Sequence, residues 1–393
     1  QNTMDIPLNK GLPSFFSVKD FHPEKLQAEC EHQLSLENYP HAEAVEQNIL
    51  IYQGDHLRAA LMDPSKELVL TSELCRCLRD GPGVFVIRNA YENLSHVDQM
   101  TQVFQSRIYQ EKLEGQVKGD HFGTNERIWN SLQKACSVDP GLCVDYYGNP
   151  LLALASRAWL GPGYQVTAQV NNVKPGGEAQ SVHRDYHLGF QPEAVSHQFP
   201  AHAQMASQYL TLQGAVAHTD MPVESGPTLL LPFSHHFPAG YLAYRLPAFM
   251  KVFEKHRSQL AFKCGDMLFF SPALFHAAGA NRTAKDRMAN LLQVSSAFGR
   301  AMEQVNRTQM VKLIHPRLLD RLKEGAISDR QLRDVVSAFA DGYSFPTNLD
   351  SDPPMHGTAP ETCQQLWLRA LRERWDSERL KQALLERTTT RQA

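Results

Sequence analysis

Apolar residues recur at helical spacing toward both ends of the chain. Residues 66–78 carry leucines with this period and stop at Asp80-Gly81-Pro82-Gly83, a strong helix terminator. The same period predicts further helices over residues 24–34, 95–114, 150–160, 247–256, 302–341 and 360–388. A connector with three prolines separates the last two segments.

The middle of the chain has a different pattern, in which short apolar runs alternate with Gly and Pro turns. These runs predict strands at 84–88, 164–173, 210–218, 228–232, 259–262, 267–270 and 288–297. Such a succession is typical of a β-sandwich or jelly roll. We therefore expect a β core from about 164 to 300, wrapped by helices from both ends. The expected organisation is a helical extension (1–83), a jelly-roll domain (84–300) with an insertion at 190–208, and a second helical extension (301–393).

Composition narrows the functional classes. The formal net charge of −3 shows no basic footprint, so we expect no nucleic-acid partner. No apolar run approaches the length of a membrane span, and the N-terminus lacks the pattern of a signal peptide, so we expect no membrane partner. Seven scattered cysteines fit a reducing compartment, and the expected location is cytoplasmic.

The candidate chemistry starts at His183 and Asp185. On a strand, residues two positions apart point to the same face, so both side chains can reach one metal ion. His276, after a Gly-Asp turn and a short strand, is the candidate third ligand, and Arg287 follows it by eleven positions. Two imidazoles and one carboxylate are the facial ligand set of non-haem Fe(II) oxygenases. An arginine in the same barrel can bind a carboxylate bidentately, such as the distal one of 2-oxoglutarate.

Each of these residues also has an ordinary interpretation. With 17 histidines in the chain, one His-x-Asp pair is expected by chance. His183 and His187 could form a zinc pair on a helix, although Gly176-Gly177 and the strand-like surroundings argue against a helix there. His276 alone would more often be a core histidine, and Arg287 alone a surface charge. The four together, in this order, are far more specific.

The region from about 84 to 300 resembles the phytanoyl-CoA dioxygenase family of Fe(II)/2-oxoglutarate oxygenases. The resemblance rests on Lys174-Pro175, His183-Arg184-Asp185, Ser225-Gly226, Leu231-Pro232-Phe233-Ser234-His235, Gly265-Asp266, Phe270, Pro272, His276 and Arg287. It implies an α+β fold with a double-stranded β-helix core, of the jelly-roll or cupin-like type, wrapped by N- and C-terminal helices.

The resemblance also implies roles for individual residues. His183, Asp185 and His276 would bind iron, and Arg287 would hold the carboxylate of 2-oxoglutarate. Gln180 resembles a glutamine that contacts this co-substrate in natural-product members of the family. The remaining candidate contacts are Ser271 and Asn290.

The implied function is an Fe(II)- and 2-oxoglutarate-dependent dioxygenase with dioxygen as co-substrate. It would oxidise, and most simply hydroxylate, an unactivated C–H bond of a small molecule, releasing succinate and carbon dioxide. Halogenating relatives have Gly or Ala in place of the aspartate, so Asp185 favours hydroxylation or a related oxidation. The sequence does not indicate a CoA thioester. The alternatives are a non-catalytic jelly-roll binding protein and a metal-dependent cupin-type hydrolase or isomerase.

Three further segments carry weaker expectations. The loop from Lys118 to Trp129 is a candidate lining of the pocket, and the 190–208 insertion a candidate lid. The C-terminal helices are a candidate homodimer interface because of their amphipathic spacing. Tyr343, Phe345 and Asn348, between those helices, are candidates to reach the pocket.

Overall fold

A computed structural model describes residues 11–115, 125–354 and 357–393. Its strands are β1 (Ala44–Glu46), β2 (Ile49–Gln53), β3 (Val84–Arg88), β4 (Glu126–Ile128), β5 (Gln165–Val173), β6 (Thr211–Ala217), β7 (Leu229–Leu230), β8 (Ser258–Gln259), β9 (Met267–Phe270), β10 (His276–Ala277) and β11 (Arg287–Ser295). Its α-helices are α1 (Pro23–Cys30), α2 (Gly54–Leu61), α3 (Glu67–Arg79), α4 (Ser95–Leu113), α5 (Ser131–Val138), α6 (Pro140–Tyr147), α7 (Pro150–Leu160), α8 (Glu193–Ser196), α9 (Ala201–Ser207), α10 (Gly240–Ala243), α11 (Pro247–His256), α12 (Arg307–Lys323), α13 (Asp329–Phe339), α14 (Cys363–Arg372) and α15 (Ser377–Arg391).

The strands form two sheets. The larger has the order β1-β2-β3-β9-β6-β11-β5-β4, in which only β2 and β3 are parallel. The smaller has the order β10-β7-β8 and is extended by isolated bridges between His183 and His276 and between Met221 and Phe262. Strands adjacent in the sheets are mostly far apart in sequence, as in a jelly roll. The fold is α+β with a double-stranded β-helix core, as the family resemblance implied.

The two faces of the larger sheet have different neighbours. Along β5, Val166, Ala168 and Val170 belong to the main hydrophobic core, which also contains the helices. The alternate residues, Gln169 and Asn171, line a cavity between the two sheets. This follows from the two-residue period of a strand, and β11 shows the same alternation. One face therefore holds the fold together while the other builds the site.

The segment before residue 84 is not wholly helical, and in this respect the sequence prediction is wrong. The hairpin β1–β2 joins the larger sheet beside β3. The helices predicted at 150–160 and 247–256 and the strand at 84–88 are present with those bounds. The predicted domain boundaries stay predictions. In the described ranges no helix is both long and apolar enough to cross a membrane.

The C-terminal segment forms four helices, α12 to α15, that pack on the chain's own helical layer. Met310, Val335 and Trp367 lie in the main hydrophobic core. The Trp367 indole donates a hydrogen bond of 3.1 Å to His315 Nδ1. The apolar faces are thus covered within the chain, so amphipathic spacing no longer argues for a dimer; the dimer itself stays a prediction.

A buried imidazole gives a pH-dependent contribution to stability. Burial lowers the pKa of His218 to about 3. Its Nε2 lies 2.6 Å from the Tyr146 hydroxyl and its Nδ1 2.7 Å from the Thr101 hydroxyl. In the unfolded chain the pKa of a histidine is about 6.5. The unfolded state therefore binds a proton between pH 6.5 and 3 that the folded state does not, and stability falls as pH drops through that window.

We expect this group alone to lower the free energy of unfolding by about 2 kcal/mol between neutral pH and pH 5. Urea unfolding of the parent and of His218→Gln at several pH values measures it. The variant should be less stable near neutral pH but should show a flatter pH dependence. Equal slopes in the two proteins would contradict the assignment.

Candidate metal centre and co-substrate pocket

Three potential metal ligands meet where the smaller sheet faces the cavity. His183 and His276 form a two-way backbone bridge, each N–H donating to the other's carbonyl at 3.0 Å. The Asp185 N–H donates to the Pro272 carbonyl at 3.0 Å, which places its side chain on the same side. One ligand atom from each of the three side chains lies within 4.8 Å of the others. The segment around His183 is thus a single bridge rather than the regular strand expected from sequence.

Backbone carbonyls determine which imidazole nitrogens face the centre. His183 Nδ1 lies 2.8 Å from the Ser181 carbonyl, and His276 Nδ1 lies 2.7 Å from the Leu274 carbonyl. A carbonyl can only accept, so each Nδ1 donates and each Nε2 of a neutral ring presents a lone pair. These Nε2 atoms lie 3.6 and 3.0 Å from the two Asp185 carboxylate oxygens. Lone pairs that converge in this way fit a cation, and the ligand types suit Fe(II).

A glutamine that sequence reasoning missed orients the Asp185 carboxylate. Gln213, on β6, donates its Nε2–H to Asp185 Oδ2 at 2.7 Å. Burial raises the pKa of Asp185, but His183 and His276, which when protonated are cations that donate to this carboxylate, outweigh it and hold that pKa well below the ordinary value. The carboxylate is therefore charged, oriented and ready to act as a ligand.

Arg184, the residue between the two candidate ligands of the His-x-Asp motif, points the other way and anchors the segment. Its side chain is fully buried, and its Nη2 donates to the carbonyls of Ser234 and Phe237 at 2.9 and 2.7 Å. Its guanidinium also lies over the rings of Tyr241 and Phe275. Alternation thus sends this side chain into the core and its two neighbours toward the cavity.

Arg287 lies at the start of β11 and faces the same cavity. Its Nη1 donates to the carbonyls of Ser225, Gly226 and Gly279. Burial lowers the pKa of the guanidinium to about 10, so it stays a cation at neutral pH. Among the described residues no carboxylate forms an ion pair with it. A buried cation without a counter-ion fits the carboxylate of a small ligand.

These groups share one cavity of about 680 Å³. The profile of the family described as phytanoyl-CoA dioxygenase (PhyH) matches residues 63–289, more than half of the chain. The chain belongs to this family. A search of curated proteins gave no match.

A search of solved structures gave matches of low sequence identity. The non-heme alpha ketoglutarate dependent epimerase SnoN from nogalamycin biosynthesis is 17% identical, with a TM-score of 0.40 over 60% of this chain and 84% of that one. SnoN in complex with Fe3+, alpha ketoglutarate and nogalamycin RO is 16% identical, with a TM-score of 0.41 over 60% and 85%. The non-heme alpha ketoglutarate dependent carbocyclase SnoK from the same biosynthesis is 20% identical, with a TM-score of 0.40 over 61% and 88%.

The cofactors are Fe(II) and 2-oxoglutarate, with dioxygen as co-substrate. This follows from membership of the phytanoyl-CoA dioxygenase family together with the group of two imidazoles and one carboxylate. The cavity separates the candidate site residues into two groups, those that line it and those that do not.

His183, Asp185, His276, Arg287 and Gln180 all line the cavity. The other two candidates do not, so their assignment as co-substrate contacts is corrected. The Ser271 side chain accepts the Ala273 N–H, and its backbone donates to Gly83. Asn290 lies three positions after Arg287, so the two-residue period of the strand turns it to the helical face.

Asn290 instead joins β11 to the helices. Its Nδ2 donates to the hydroxyls of Tyr146 and Tyr147 at 3.1 and 3.0 Å, and its Oδ1 accepts the Ser131 hydroxyl at 2.9 Å. It is fully buried. Sequence reasoning therefore named a residue of the structural core as a ligand contact.

We expect Asn290→Leu to lower the free energy of unfolding by about 2 kcal/mol, because it leaves three buried hydroxyl groups short of a partner. Gln180→Leu is the matched control, since it removes an amide from the cavity and should leave stability near that of the parent. Denaturant unfolding and 2-oxoglutarate titration of both variants measure this. A stable Asn290→Leu protein that binds 2-oxoglutarate weakly would restore Asn290 as a co-substrate contact.

The weaker expectations have mixed outcomes. Lys118, and the rest of its loop up to residue 124, lie outside the described residues, whereas Arg127 and Trp129 line the cavity. Phe190, at the start of the insertion, lines it too; a lid role for the insertion stays a prediction.

The expectation for the connector between the C-terminal helices is wrong. Tyr343, Phe345 and Asn348 do not line the cavity. Tyr343 packs against Phe298 and Phe345, and Asn348 donates to the Arg391 carbonyl.

Proposed function

We propose that this protein is a dioxygenase that hydroxylates an unactivated C–H bond of a small molecule, with conversion of 2-oxoglutarate and dioxygen to succinate and carbon dioxide. The observation that carries the proposal is one cavity that brings together His183, Asp185, His276 and the buried Arg287. His183, Asp185 and His276 would hold the metal through two imidazoles and one carboxylate, a ligand set that leaves positions for co-substrate and dioxygen.

The hydrogen bonds of the three side chains determine which atom of each would bind the metal. His183 and His276 would bind the metal through Nε2, because Nδ1 of each is committed to a backbone carbonyl. Asp185 would add a charged oxygen, with Gln213 holding the carboxylate in place. Bound Fe(II) supplies the activation of dioxygen that is coupled to the oxidative decarboxylation of 2-oxoglutarate.

Arg287 and Gln180 would orient the co-substrate. The Arg287 guanidinium lies in a buried setting where pairing with the distal carboxylate is strong. Gln180 is held beside the candidate metal centre because its backbone N–H donates to the Ala278 carbonyl at 2.9 Å. Apolar and aromatic side chains, among them Phe270, Leu268 and Leu291, exclude water around the reacting C–H bond.

The cofactor assignment is tested without a substrate. Fe(II) and 2-oxoglutarate, added anaerobically, should give the weak visible charge-transfer band of their chelate. The band should weaken in Asp185→Ala and Arg287→Ala. A folded parent protein without the band would reject the proposal and favour the binding-protein and cupin-type alternatives.

The reaction outcome is tested with isotopically labelled dioxygen. A panel of small molecules is first screened for succinate release above the substrate-free rate. With the substrate found, hydroxylation predicts one labelled oxygen atom in the product and one in succinate. A product that contains no additional oxygen atom would instead indicate desaturation, ring closure or epimerisation.

A further inference from the structure

Three glutamines form one wall of the cavity, which we call the amide wall: Gln169, Gln213 and Gln293. They lie on neighbouring strands of the larger sheet. Gln293 on β11 is directly opposite Gln213 on β6, and Gln169 on β5 is opposite Leu291, two residues before Gln293. The three side chains are only 1%, 5% and 7% exposed, in the order of their numbers. Glutamine is mostly a surface residue, and apolar side chains usually occupy positions as buried as these. Three buried amides on one wall are therefore unusual.

The carbonyl oxygens of the amide wall have no partner. The amide NH2 of Gln213 donates to Asp185, and that of Gln169 donates to Glu303 at 2.5 Å. Because a carboxylate accepts hydrogen bonds, these contacts fix the orientation of both amides. No donor in the described ranges reaches the Oε1 atom of any of the three glutamines. Each enclosed, unpaired acceptor costs roughly 1–3 kcal/mol.

The amide wall lies at the metal end of the cavity, away from the co-substrate arginine. Gln293 and Arg287 face the cavity from one strand, six residues apart, which is about 20 Å at the usual rise of a strand. Gln213 touches Asp185 itself. A substrate that approaches the metal from the side opposite Arg287 therefore meets the amide wall.

We propose that the substrate carries at least two hydrogen-bond donors, hydroxyl or amino groups, on the part that faces the amide wall. This proposal rests on the proposed function. Such groups would pair the carbonyl oxygens of Gln169, Gln213 and Gln293. The carboxylates behind two of the amides polarise them and make their oxygens better acceptors. A plain hydrocarbon chain in the same place would leave all three oxygens unpaired, which disfavours it.

The rest of the cavity accommodates the carbon skeleton. Phe190, Tyr244 and Phe270 supply aromatic surface, and Leu268 and Leu291 supply aliphatic surface. The cavity volume of about 680 Å³ is within the range for ligands of drug size. The substrate class is thus a compact carbon skeleton with several hydroxyl or amino groups on one side, such as a polyol, a glycoside or an amino alcohol.

The first test uses the protein alone. If the Gln293 oxygen is paired only by a bound ligand, Gln293→Leu removes an unpaired acceptor from the ligand-free protein. The melting temperature should then stay unchanged or rise by about 1–3 °C. The matched control is Gln165→Leu, because Gln165 donates to the carbonyls of Ser296 and Gly299 at 2.9 and 3.0 Å. That variant should melt lower than the parent. A loss in Gln293→Leu as large as that in Gln165→Leu would overturn the proposal by giving Gln293 a structural partner.

The second test uses turnover. Succinate release is compared between methyl glycosides, polyols and amino alcohols on one side and saturated fatty acids and alkanols of similar size on the other. We expect turnover in the first group, with KM raised at least tenfold by Gln293→Leu. Turnover confined to the second group, or a KM that Gln293→Leu does not change, would overturn the proposal.

The two proposals fail in distinguishable ways. A parent protein without the Fe(II)–2-oxoglutarate band contradicts the proposed function. The melting experiment needs neither cofactor nor substrate, so it still decides whether the amide wall is a ligand site.

Discussion

Asp185→Ala is expected to abolish turnover, with a loss of roughly three orders of magnitude or more. As the one charged ligand of the proposed metal site, Asp185 would contribute several kcal/mol to metal binding and to the metal-assisted step. The same carboxylate receives the hydrogen bond of Gln213 and lies within 3.6 Å of both imidazoles. Among the described residues, the group contains no second carboxylate that could replace Asp185.

Thermal unfolding separates this loss from misfolding. A metal ion present at a hundred times its dissociation constant stabilises a protein by about 2.7 kcal/mol, which raises the melting temperature. The parent should show this rise with Fe(II) under argon, and Asp185→Ala should lose most of it while it remains folded without metal.

His187→Asn is the matched control for that experiment. It removes a nearby imidazole that lies outside the group, and asparagine tolerates the positive φ of 49° at this position. It should keep the metal-dependent rise. If His187→Asn loses the rise and Asp185→Ala keeps it, the ligand set is wrong and the alternative pair of His183 and His187 gains support.

Much of the fold was predictable because the sequence signals are local. β3, α7 and α11 have their predicted bounds, since apolar period and Gly/Pro punctuation act over a few residues. The hairpin β1–β2 was missed for an equally local reason. Its two-residue turn, Gln47-Asn48, has positive φ at both positions but lacks the Asn-Gly or Asp-Gly signature of such turns.

The site was predictable only where its residues belong to a motif. His183, Asp185, His276 and Arg287 meet at one cavity, as their order and spacing suggested. Asn290 lies an odd number of positions after Arg287, so on a strand its side chain points to the opposite face. The sequence alone could have excluded it as a cavity residue once Arg287 was placed on the inner face.

The contact from Gln213 to Asp185 could not be read from sequence. It joins two segments 28 residues apart through the closure of two sheets. The only local signal was a glutamine within an otherwise apolar strand, which indicates a polar partner but does not name it.

Arg287→Leu is expected to raise the KM for 2-oxoglutarate about 100-fold, with a smaller change in kcat at saturating co-substrate. Removing one member of a buried, hydrogen-bonded charge pair costs about 3 kcal/mol, which corresponds to that factor. The split between KM and kcat distinguishes this variant from Asp185→Ala, which loses kcat itself. Arg287→Lys should lie between parent and Arg287→Leu, because an ammonium keeps the charge but not the fork of donors.

The distal carboxylate of 2-oxoglutarate provides the sharpest control. A 2-oxo acid that lacks it, 2-oxobutanoate, should bind the parent about 100-fold more weakly than 2-oxoglutarate and should bind Arg287→Leu with similar affinity. The parent's preference for the diacid should therefore collapse in the variant. If the guanidinium only stabilised the turn at Ser225 and Gly226, its loss would disturb the pocket without removing a charge partner. Arg287→Leu would then weaken the binding of both 2-oxo acids equally and leave the preference for the diacid intact. The ratio of the two affinities thus isolates the interaction of one arginine with one carboxylate.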